Sequence, residues 1–547
     1  MNRFDLGITI GHNSSITLLK NGTIVFYIEE ERLSRIKRDG NPIKSLLKVK
    51  DYTNELETVN IVSTEDIPNT IWNGSNPYAE LLSKIGIDIK KINIDSQNHH
   101  LWHNYTAFYN SGFDDSIVVV IDGAGSRYNY QGVPYFEAET IFRTDYEKSK
   151  IQFQNMITND SNLLANDDNI KLNQNPTNVK MYEAVTDFLG WHPIEAGKTM
   201  GLSAYGTLDE RIIDLLNDDY RGRGHFFKPS YPAKAILSGF DNLKDDKEFQ
   251  QNIAFRVQKD TEFVVRKLIE KAMELNKDCK NICITGGYAL NVISNGKLVN
   301  EFKDYNFWFE PCATDNGNSI GVAKHFYYQD TKDKQSIQGI KDYYLGFEDS
   351  LNLSAKKVLN LREKYQVSRQ DNINKIATAL HQGDIVAVVQ GRSEAGARAL
   401  GNRSFLFNAT LKNGKDLMNK IKKREWFRPF ACIVLKEDLK TYFETSVDEA
   451  PYMNIAFKSI TDKIPAVTHI DKSSRVQTVD TTDNKILRKI LIQYKELSNI
   501  GVLGNTSFNL SGEPLVETTK EALTTFANAD FKYLYFADKD ILITKGK

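Results

Sequence analysis

Between residues 4 and 28 short apolar runs alternate with turn formers. FDLGITI, SSITLL and TIVFYI are rich in β-branched or aromatic residues, and a Lys-Asn-Gly turn stands at 20–22. That pattern predicts a β-meander, strands joined by tight turns. SIVVVIDGAGS (116–126) is a continuous apolar run ending in Asp-Gly-Ala-Gly, as expected of a buried strand that delivers Asp122 to a loop. From about 249 to 275 apolar residues recur every third or fourth position, which predicts a helix leading into the strand NICITGG and a helix start near 288. IATALHQGDIVAVVQGRS reads as a helix, a glycine turn and a buried strand, and IGVLGNTSFNLSGEP as a strand running into a polar loop. The stretch YQDTKDKQSIQGIKD, about 328–342, is polar and charged, so a domain boundary is expected near 340. No short-period repeat or low-complexity tract stands out.

Length and charge narrow the picture. At 547 residues the chain exceeds what one hydrophobic core usually holds, and two or more domains are expected. Lys+Arg (70) and Asp+Glu (71) cancel to a net charge of -1, which argues against bulk nucleic-acid binding. A local basic segment remains: Arg32, Arg35, Lys37, Arg38, Lys44, Lys48 and Lys50, read most simply as solvated surface. Four cysteines without a CxxC pair make neither a disulfide framework nor a structural zinc site and fit a reducing cytoplasm. MNRFDLGITIGHNSS lacks a signal-peptide core, and no apolar run reaches the roughly 18 residues of a membrane span. The expectation is a cytoplasmic protein, neither secreted through a signal peptide nor membrane-spanning.

Three constellations carry chemistry. In NHHLWHNYTAFY (98–109) His99 and His103 stand four apart and share one face if the segment is helical, the spacing of a metal-ligand pair. His100 is an alternative to His99. Asp122 and Asp315, each beside glycines, are the candidate carboxylate partners, although either alone is also a common turn former. The second constellation is glycine-rich: EAGKTMGLSAYG (195–206), TGGYALN (285–291) and TDNGNSIGVA (314–323). Such turns offer backbone N–H groups to phosphate, and with no P-loop or dinucleotide fingerprint they suggest a nucleotide fold of the actin and sugar-kinase type. The third is cationic. Arg392, Arg398 and Arg403 crowd a segment rich in glycine and alanine, and Lys422, Arg424 and Arg428 follow in IKKREWFRPFA, an anion site rather than a solvated helix face. Later in the chain, Asn505, Thr506, Ser507 and Asn509, and His469, Asp471, Arg475 and Gln477, supply further polar groups.

Taken in order, GHNSS (11–15), EERLSRIKRDG (30–40), HHLWH, KTMGLSAYG, GGYALN, SEAGARALGNRS, KREWFRPFA, AVTHIDKSSRVQTV and NTSFNLSGEP resemble the carbamoyltransferase family of the nodulation-factor (NodU), cephalosporin (CmcH) and tobramycin-type enzymes, nearly end to end. The resemblance implies an α/β protein. An N-terminal actin-like (ASKHA) ATPase-type domain, 1–340, would hold the transfer chemistry and a metal, and a C-terminal YrdC-like α/β domain, 341–547, would form a carbamoyl-adenylate. It further implies that carbamoyl phosphate and the adenylate are held by Arg398, Arg403, Lys422, Arg428, Ser507 and Asn509. Carbamate freed from carbamoyl phosphate would attack the α-phosphate of ATP. The implied metal ligands are His99, His103, Asp122 and Asp315, with Fe(2+) the expected ion. Lys198, Gly286, Gly287 and Asn291 would line the nucleotide. His12 would act as base or orienting group, so that His12, Lys422 and Arg428 are the implied catalytic residues.

The chain departs from the family pattern twice. The usual Gly-Pro-Arg is Gly396-Ala397-Arg398, and Pro-Phe-Ala-Pro ends in Cys432. Both changes spare the charged groups. Ala397 lifts a restriction that proline would impose on the arginine loop. The family's acceptors imply a small hydroxylated sugar or natural product, or a hydroxymethylpyrimidine in a nucleotide or DNA; a homodimer is a family expectation. A catalytically silent nucleotide sensor of the same fold and a tRNA threonylcarbamoylation enzyme are the competing readings.

Overall fold

The apolar runs of the opening segment form strands because their β-branched and aromatic side chains pack on a pleated surface. The computed structural model describes residues 2–63, 76–130, 132–158, 170–173, 177–212, 215–216, 237–348, 353–354, 360–482 and 484–546. The chain divides into two units. The first comprises 1–25, 40–294 and 301–340, and the second 26–39, 295–300 and 341–547. The division is therefore not a single cut near 340, since two short segments before it, 26–39 and 295–300, belong with the C-terminal half. The polar stretch beginning at 328 is also partly helical. The helix Asn318–Thr331 runs into it and Lys334–Ile337 adds a short turn; a solvent-facing helix end and a linker share the same polar composition.

β1 (Phe4–Ile10), β2 (Ser15–Lys20), β3 (Thr23–Glu29), β4 (Glu55–Ser63) and β5 (Asp88–Asp95) form a sheet of order β3-β2-β1-β4-β5, which belongs to the first unit except for β3 from Phe26 onward. β1 runs antiparallel to β2 and parallel to β4, and β4 runs parallel to β5. The second sheet contains β6 (Asp115–Ile121), β7 (Arg127–Tyr130), β8 (Val133–Asp145), β9 (Ser149–Thr158), β10 (Ile170–Asn173), β11 (Asn281–Thr285) and β12 (Asn306–Phe309). Its path β9-β8-β6-β11-β12 repeats the first: two antiparallel neighbours on one side of the leading strand, two parallel strands on the other. Two successive sheets with this strand order make an actin-like fold. The helix Asn318–Thr331 packs on β1, β2 and β4, the helix His99–Ser111 on β6, β8 and β11, and the two helices on each other. Their contact is close at Gly321, where a Cβ would stand 2.3 Å from Thr106 Oγ1. Any larger residue there pushes apart the helices that carry the site below.

β6 explains why the run SIVVVI was legible: Ile117 to Ile121 are fully buried in the middle of their sheet, where neither face meets water. The long helix is Lys247–Leu275, capped by Asp246 on the amides of Glu248 and Phe249. After β11 the chain makes a single 3₁₀ turn, Gly287–Leu290, before the helix Val292–Glu301 begins, slightly later than the pattern suggested.

The second unit is built on a mixed sheet of β13 (Gln366–Ser368), β14 (Val386–Val389), β15 (Arg403–Asn408), β16 (Ala431–Leu435), β17 (Phe443–Glu444), β18 (Ala456–Ser459), β19 (Ser473–Val479), β20 (Val502–Ser507), β21 (Tyr533–Phe536) and β22 (Ile541–Thr544). Its order is β13-β22-β21-β14-β15-β20-β16-β19-β18-β17. Helices Asn372–His381 and Lys485–Ser498 pack together and on this sheet, so both units are of the α/β class.

Candidate metal centre and anion site

The helix His99–Ser111 has no side-chain cap from its own N-cap residue, Asn98, and its orphan amides are met from elsewhere. His99 N–H donates to Ser126 Oγ (2.9 Å) and His100 N–H to Glu137 Oε2 (3.2 Å), which also accepts from Ser126 N–H (3.0 Å). This meets two of the first turn's amides and ties the helix to β8 through Glu137. The four-residue spacing then sets His99 and His103 side by side, Nε2 to Nε2 3.0 Å. Asp122 leaves the end of β6, and its Oδ1 accepts from Gly287 N–H (2.9 Å). That approach needs Gly286, at φ +85, because a Cβ there would stand 2.3 Å from the carbonyl oxygen of Ile121. Asp315 opens the 3₁₀ turn leading into Asn318–Thr331. His99 Nε2 lies 3.4 Å from Asp122 and from Asp315, and His103 Nε2 lies 3.4 Å from Asp315. One donor atom from each of the four residues falls within 4.8 Å of all the others.

These spacings fit one ion. Bonds of about 2.1 Å at tetrahedral or octahedral angles leave ligand atoms about 3.0 to 3.4 Å apart. The two imidazoles and two carboxylates suit a divalent transition metal. Burial opposes charge on His99, but Asp315 and Asp122 outweigh it and push its pKa up to about 10. Burial likewise works against charge on the two aspartates, yet the histidines hold both well below the usual carboxylate range. Three buried groups and the partly buried Asp122 thus favour positive charge at their centre. His12 Nδ1 lies 3.3 Å from Asp315 Oδ2, its side chain half-exposed.

His100 does not share this cluster. Its Nδ1 pairs with Thr140 Oγ1 (2.7 Å), and burial, with His99 next, keeps its pKa well below the usual histidine range, so the alternative of His100 for His99 is set aside. Of the predicted nucleotide-lining residues, Gly286 and Gly287 support Asp122. The Asn291 amide is engaged with Gln258 (3.1 and 3.2 Å) and Ser294 N–H (3.2 Å). Lys198 pairs with Glu195 (3.0 Å) beside the Trp191 ring.

In the second unit Lys422 ends the helix Gly414–Lys422, fully buried. Its Nζ donates to the Ser507 carbonyl, to Ser507 Oγ (3.2 Å) and to Asn509 Oδ1 (3.0 Å). Burial, followed by Arg424 and Arg428, pushes its pKa well below the usual lysine range. Burial and Arg428 lower Arg398 to about 10 and Arg424 to about 9. Arg475 on β19 is held down by burial and by Arg398, Arg424 and Arg428 together, and its Nε has no hydrogen-bond partner among the described residues. These cations repel one another in low dielectric, a field suited to a multiply charged anion. Arg428 also lies 3.5 Å from Glu425.

Two predicted members are framework instead. Arg403, fully buried, donates to the carbonyls of Gln390 (2.5 Å), Gly391 (3.0 Å), Asn402 (3.0 Å) and Glu517 (3.3 and 3.4 Å). Arg392 donates to the carbonyls of Leu345 (2.8 Å) and Gly346 (2.7 Å). The residue type announced an anion; the carbonyl-rich surroundings took the donors. Arg475, with no glycine-rich context of its own, had no sequence signal tying it to the other arginines, and Glu137 and Ser126 had none tying them to the histidines.

The model of the family described as Carbamoyltransferase N-terminus matches residues 46–324, and that described as Carbamoyltransferase C-terminus matches 377–545. An uncharacterized protein of Methanocaldococcus jannaschii, MJ1051, is 31% identical over 99% of this chain and 100% of its own. Nodulation protein NolNO of Sinorhizobium fredii is 28% identical over 97% of this chain and 78% of its own. Among solved structures, full-length HypF in its phosphate- and nucleotide-bound form overlaps 59% of this chain and 55% of its own at 11% identity and a TM-score of 0.33, too loose to add to what the strand orders give.

Proposed function

The chain belongs to the carbamoyltransferase family, and from that premise we propose that the second unit activates a carbamoyl group as an adenylate and the first transfers it to an acceptor hydroxyl. The observation that carries the reading is the contrast in chemistry of the two sites: four clustered donors suited to a cation in one unit, and clustered cations suited to a polyanion around Lys422 in the other.

In this scheme carbamoyl phosphate is hydrolysed to carbamate and phosphate. A carbamate oxygen then attacks the α-phosphorus of ATP and pyrophosphate leaves. Lys422 and Arg428 contact the phosphates, Arg398, Arg424 and Arg475 balance their charge, and Ser507 and Asn509 orient Lys422. The acceptor hydroxyl attacks the carbamoyl carbon, its proton passes to His12, and AMP departs. His12 is supported in that role by its exposure and its contact with Asp315. His99, His103, Asp122 and Asp315 would hold a divalent ion, ferrous iron the first to try, which would supply a Lewis acid for the carbamoyl carbonyl. The balanced net charge favours a small hydroxylated acceptor, a sugar or natural product, over DNA. No helix among the described residues is long and apolar enough to cross a membrane; action in the cytoplasm, as a homodimer, belongs to the same proposal.

The test is mass spectrometry of a panel of hydroxylated acceptors, aminoglycosides, nucleosides and hydroxymethylcytosine free and in DNA, incubated with carbamoyl phosphate, ATP and ferrous iron. The expected result is the mass of one carbamoyl group added to one member, with pyrophosphate released. Silence in both channels overturns the reading.

Glu137→Gln should weaken divalent-metal binding about 10- to 100-fold, read by competition with a chromophoric chelator. Glu137 accepts from His100 and Ser126 through one oxygen and from Gln154 (3.1 Å) through the other. An amide has one acceptor where the carboxylate had two, so the helix start loses part of its anchorage. Unchanged affinity would show that the anchor does not set the ligand geometry.

A further inference from the structure

Residues 26–39 belong by their contacts to the second unit, far from it in sequence. Tyr27 N–H donates to the Leu345 carbonyl (2.8 Å) and the rings of Phe26 and Phe347 lie 4.8 Å apart. The short helix Glu30–Ser34 follows and ends at Arg35, whose left-handed backbone (φ 63) turns the chain. Arg32 and Arg35, read in the sequence as solvated basic surface, are not. Arg35 donates from both terminal nitrogens to the carbonyls of Leu515 (2.6 Å) and Pro514 (2.9 Å), and lies 3.6 Å from Glu521. Arg32 is 4% exposed. Its Nε donates to Glu29 (3.2 Å), its Nη2 to the Gly396 carbonyl (3.4 Å), and its Nη1 is buried with no hydrogen-bond partner among the described residues.

What lies around Arg32 explains its burial. Against burial, Glu29 and Glu31 act most strongly on the Arg32 charge, and Glu517 and Glu394, both almost completely buried, add to them. Glu394 Oε1 accepts from the amides of Leu400 (2.7 Å), Asn402 (2.8 Å) and Arg403 (3.1 Å), which fixes the loop that follows Arg398. Its Oε2 has no hydrogen-bond partner among the described residues, and burial pushes the Glu517 carboxyl above its usual range against the pull of Arg403, Ser393 and Arg32. Pro514 and Leu515, held by Arg35, follow Ser507 and Asn509, the partners of Lys422. The arm thus grips two of the segments around the anion site: the Arg398 loop through Arg32, and the loop beyond Asn509 through Arg35.

We propose that Arg32 and Arg35 are positioning residues of the anion site, and that the second unit is competent only with this N-terminal arm in place. The activity consequence rests on the activation reading above; the binding consequence does not.

The experiment uses the full chain and inorganic pyrophosphate as the probe, titrated by calorimetry, beside the KM and kcat of carbamoyl-phosphate-dependent pyrophosphate release. Arg35→Ala, at a partly exposed position, should weaken pyrophosphate binding and raise KM about tenfold or more, with kcat changed less and thermal unfolding little altered. Arg35→Lys should recover part of the loss, since one of the two carbonyls regains a donor. Arg32→Met carries the larger effect; if it does not fold, Arg35→Ala decides alone. Wild-type turnover with an unaffected Arg35→Ala overturns the positioning role and leaves activation standing. Pyrophosphate binding weakened by Arg35→Ala in a protein that shows no turnover overturns the activation reading and keeps the positioning role. A wild-type chain that neither binds pyrophosphate nor turns over overturns both.

Discussion

Lys422→Ala should abolish carbamoyl-phosphate-dependent release of pyrophosphate, lowering turnover by about 100- to 1,000-fold while leaving metal binding in the first unit unchanged. Lys422 is the buried cation whose Nζ is held by Ser507 and Asn509, with Arg424 and Arg428 close enough to depress its pKa. The sign of that shift makes a pH signature. Burial and like charges favour the neutral amine, whereas a bound polyanion favours the ammonium, so binding is linked to proton uptake. Pyrophosphate affinity should therefore fall as pH rises through the lowered pKa range and level off once Lys422 is charged in the free protein. Calorimetry in buffers of different ionisation enthalpy reads the proton uptake directly, and Lys422→Ala should reduce it. An uptake that is the same in wild type and variant would assign the linkage to another group. Arg403→Met offers a contrast. Its guanidinium serves five carbonyl contacts inside the fold, so that variant should lose stability, seen as a lower denaturation midpoint, before any effect on binding can be read.

How much of this was legible in the chain varies with the range over which each feature is determined. β6 and the long helix Lys247–Leu275 were readable because burial in a sheet centre and a repeating helical face write themselves into neighbouring residues. The duplicated strand order was not, because FDLGITI and DSIVVVI share only the general character of buried strands. The repeat lies in which strands pair, and pairing is a long-range property. The metal quartet was legible by residue type, and the i,i+4 spacing alone set His99 against His103. Its closure depends on Gly286 and Gly287 bringing a backbone amide to Asp122, and the choice of His99 over His100 depends on Thr140. Arginines were the least transparent: Arg398 and Arg403 stand five residues apart in one motif, yet one sits among repelling cations and the other among carbonyl oxygens. Arg32 and Arg35 looked like surface because nothing local announces Glu394, Glu517 or the carbonyls of 514 and 515.

His103→Ala should have the converse effect to Lys422→Ala: pyrophosphate release persists, and carbamoyl transfer to the acceptor is lost together with the bound metal. His103 is fully buried, 3.0 Å from His99 Nε2 and 3.4 Å from Asp315. Its removal takes one of two imidazole donors from a four-donor set, and solvent is not at hand to replace a ligand facing the interior. The loss of metal affinity should exceed the about 10- to 100-fold expected of a supporting residue such as Glu137. Asp315→Asn is the companion variant, because it keeps the shape while removing the charge that both histidines and His12 address. It should also lower the pKa of His99, since Asp315 is the leading influence that raises it against burial. The checks are metal content by elemental analysis, pyrophosphate release, and acceptor mass, all on the same preparations. Metal lost and transfer lost with activation intact assigns the two half-reactions to different units. Equal loss of both half-reactions in the Lys422 and His103 variants would mean that the activation and transfer sites do not work separately, and the division of labour proposed for the two units would fall.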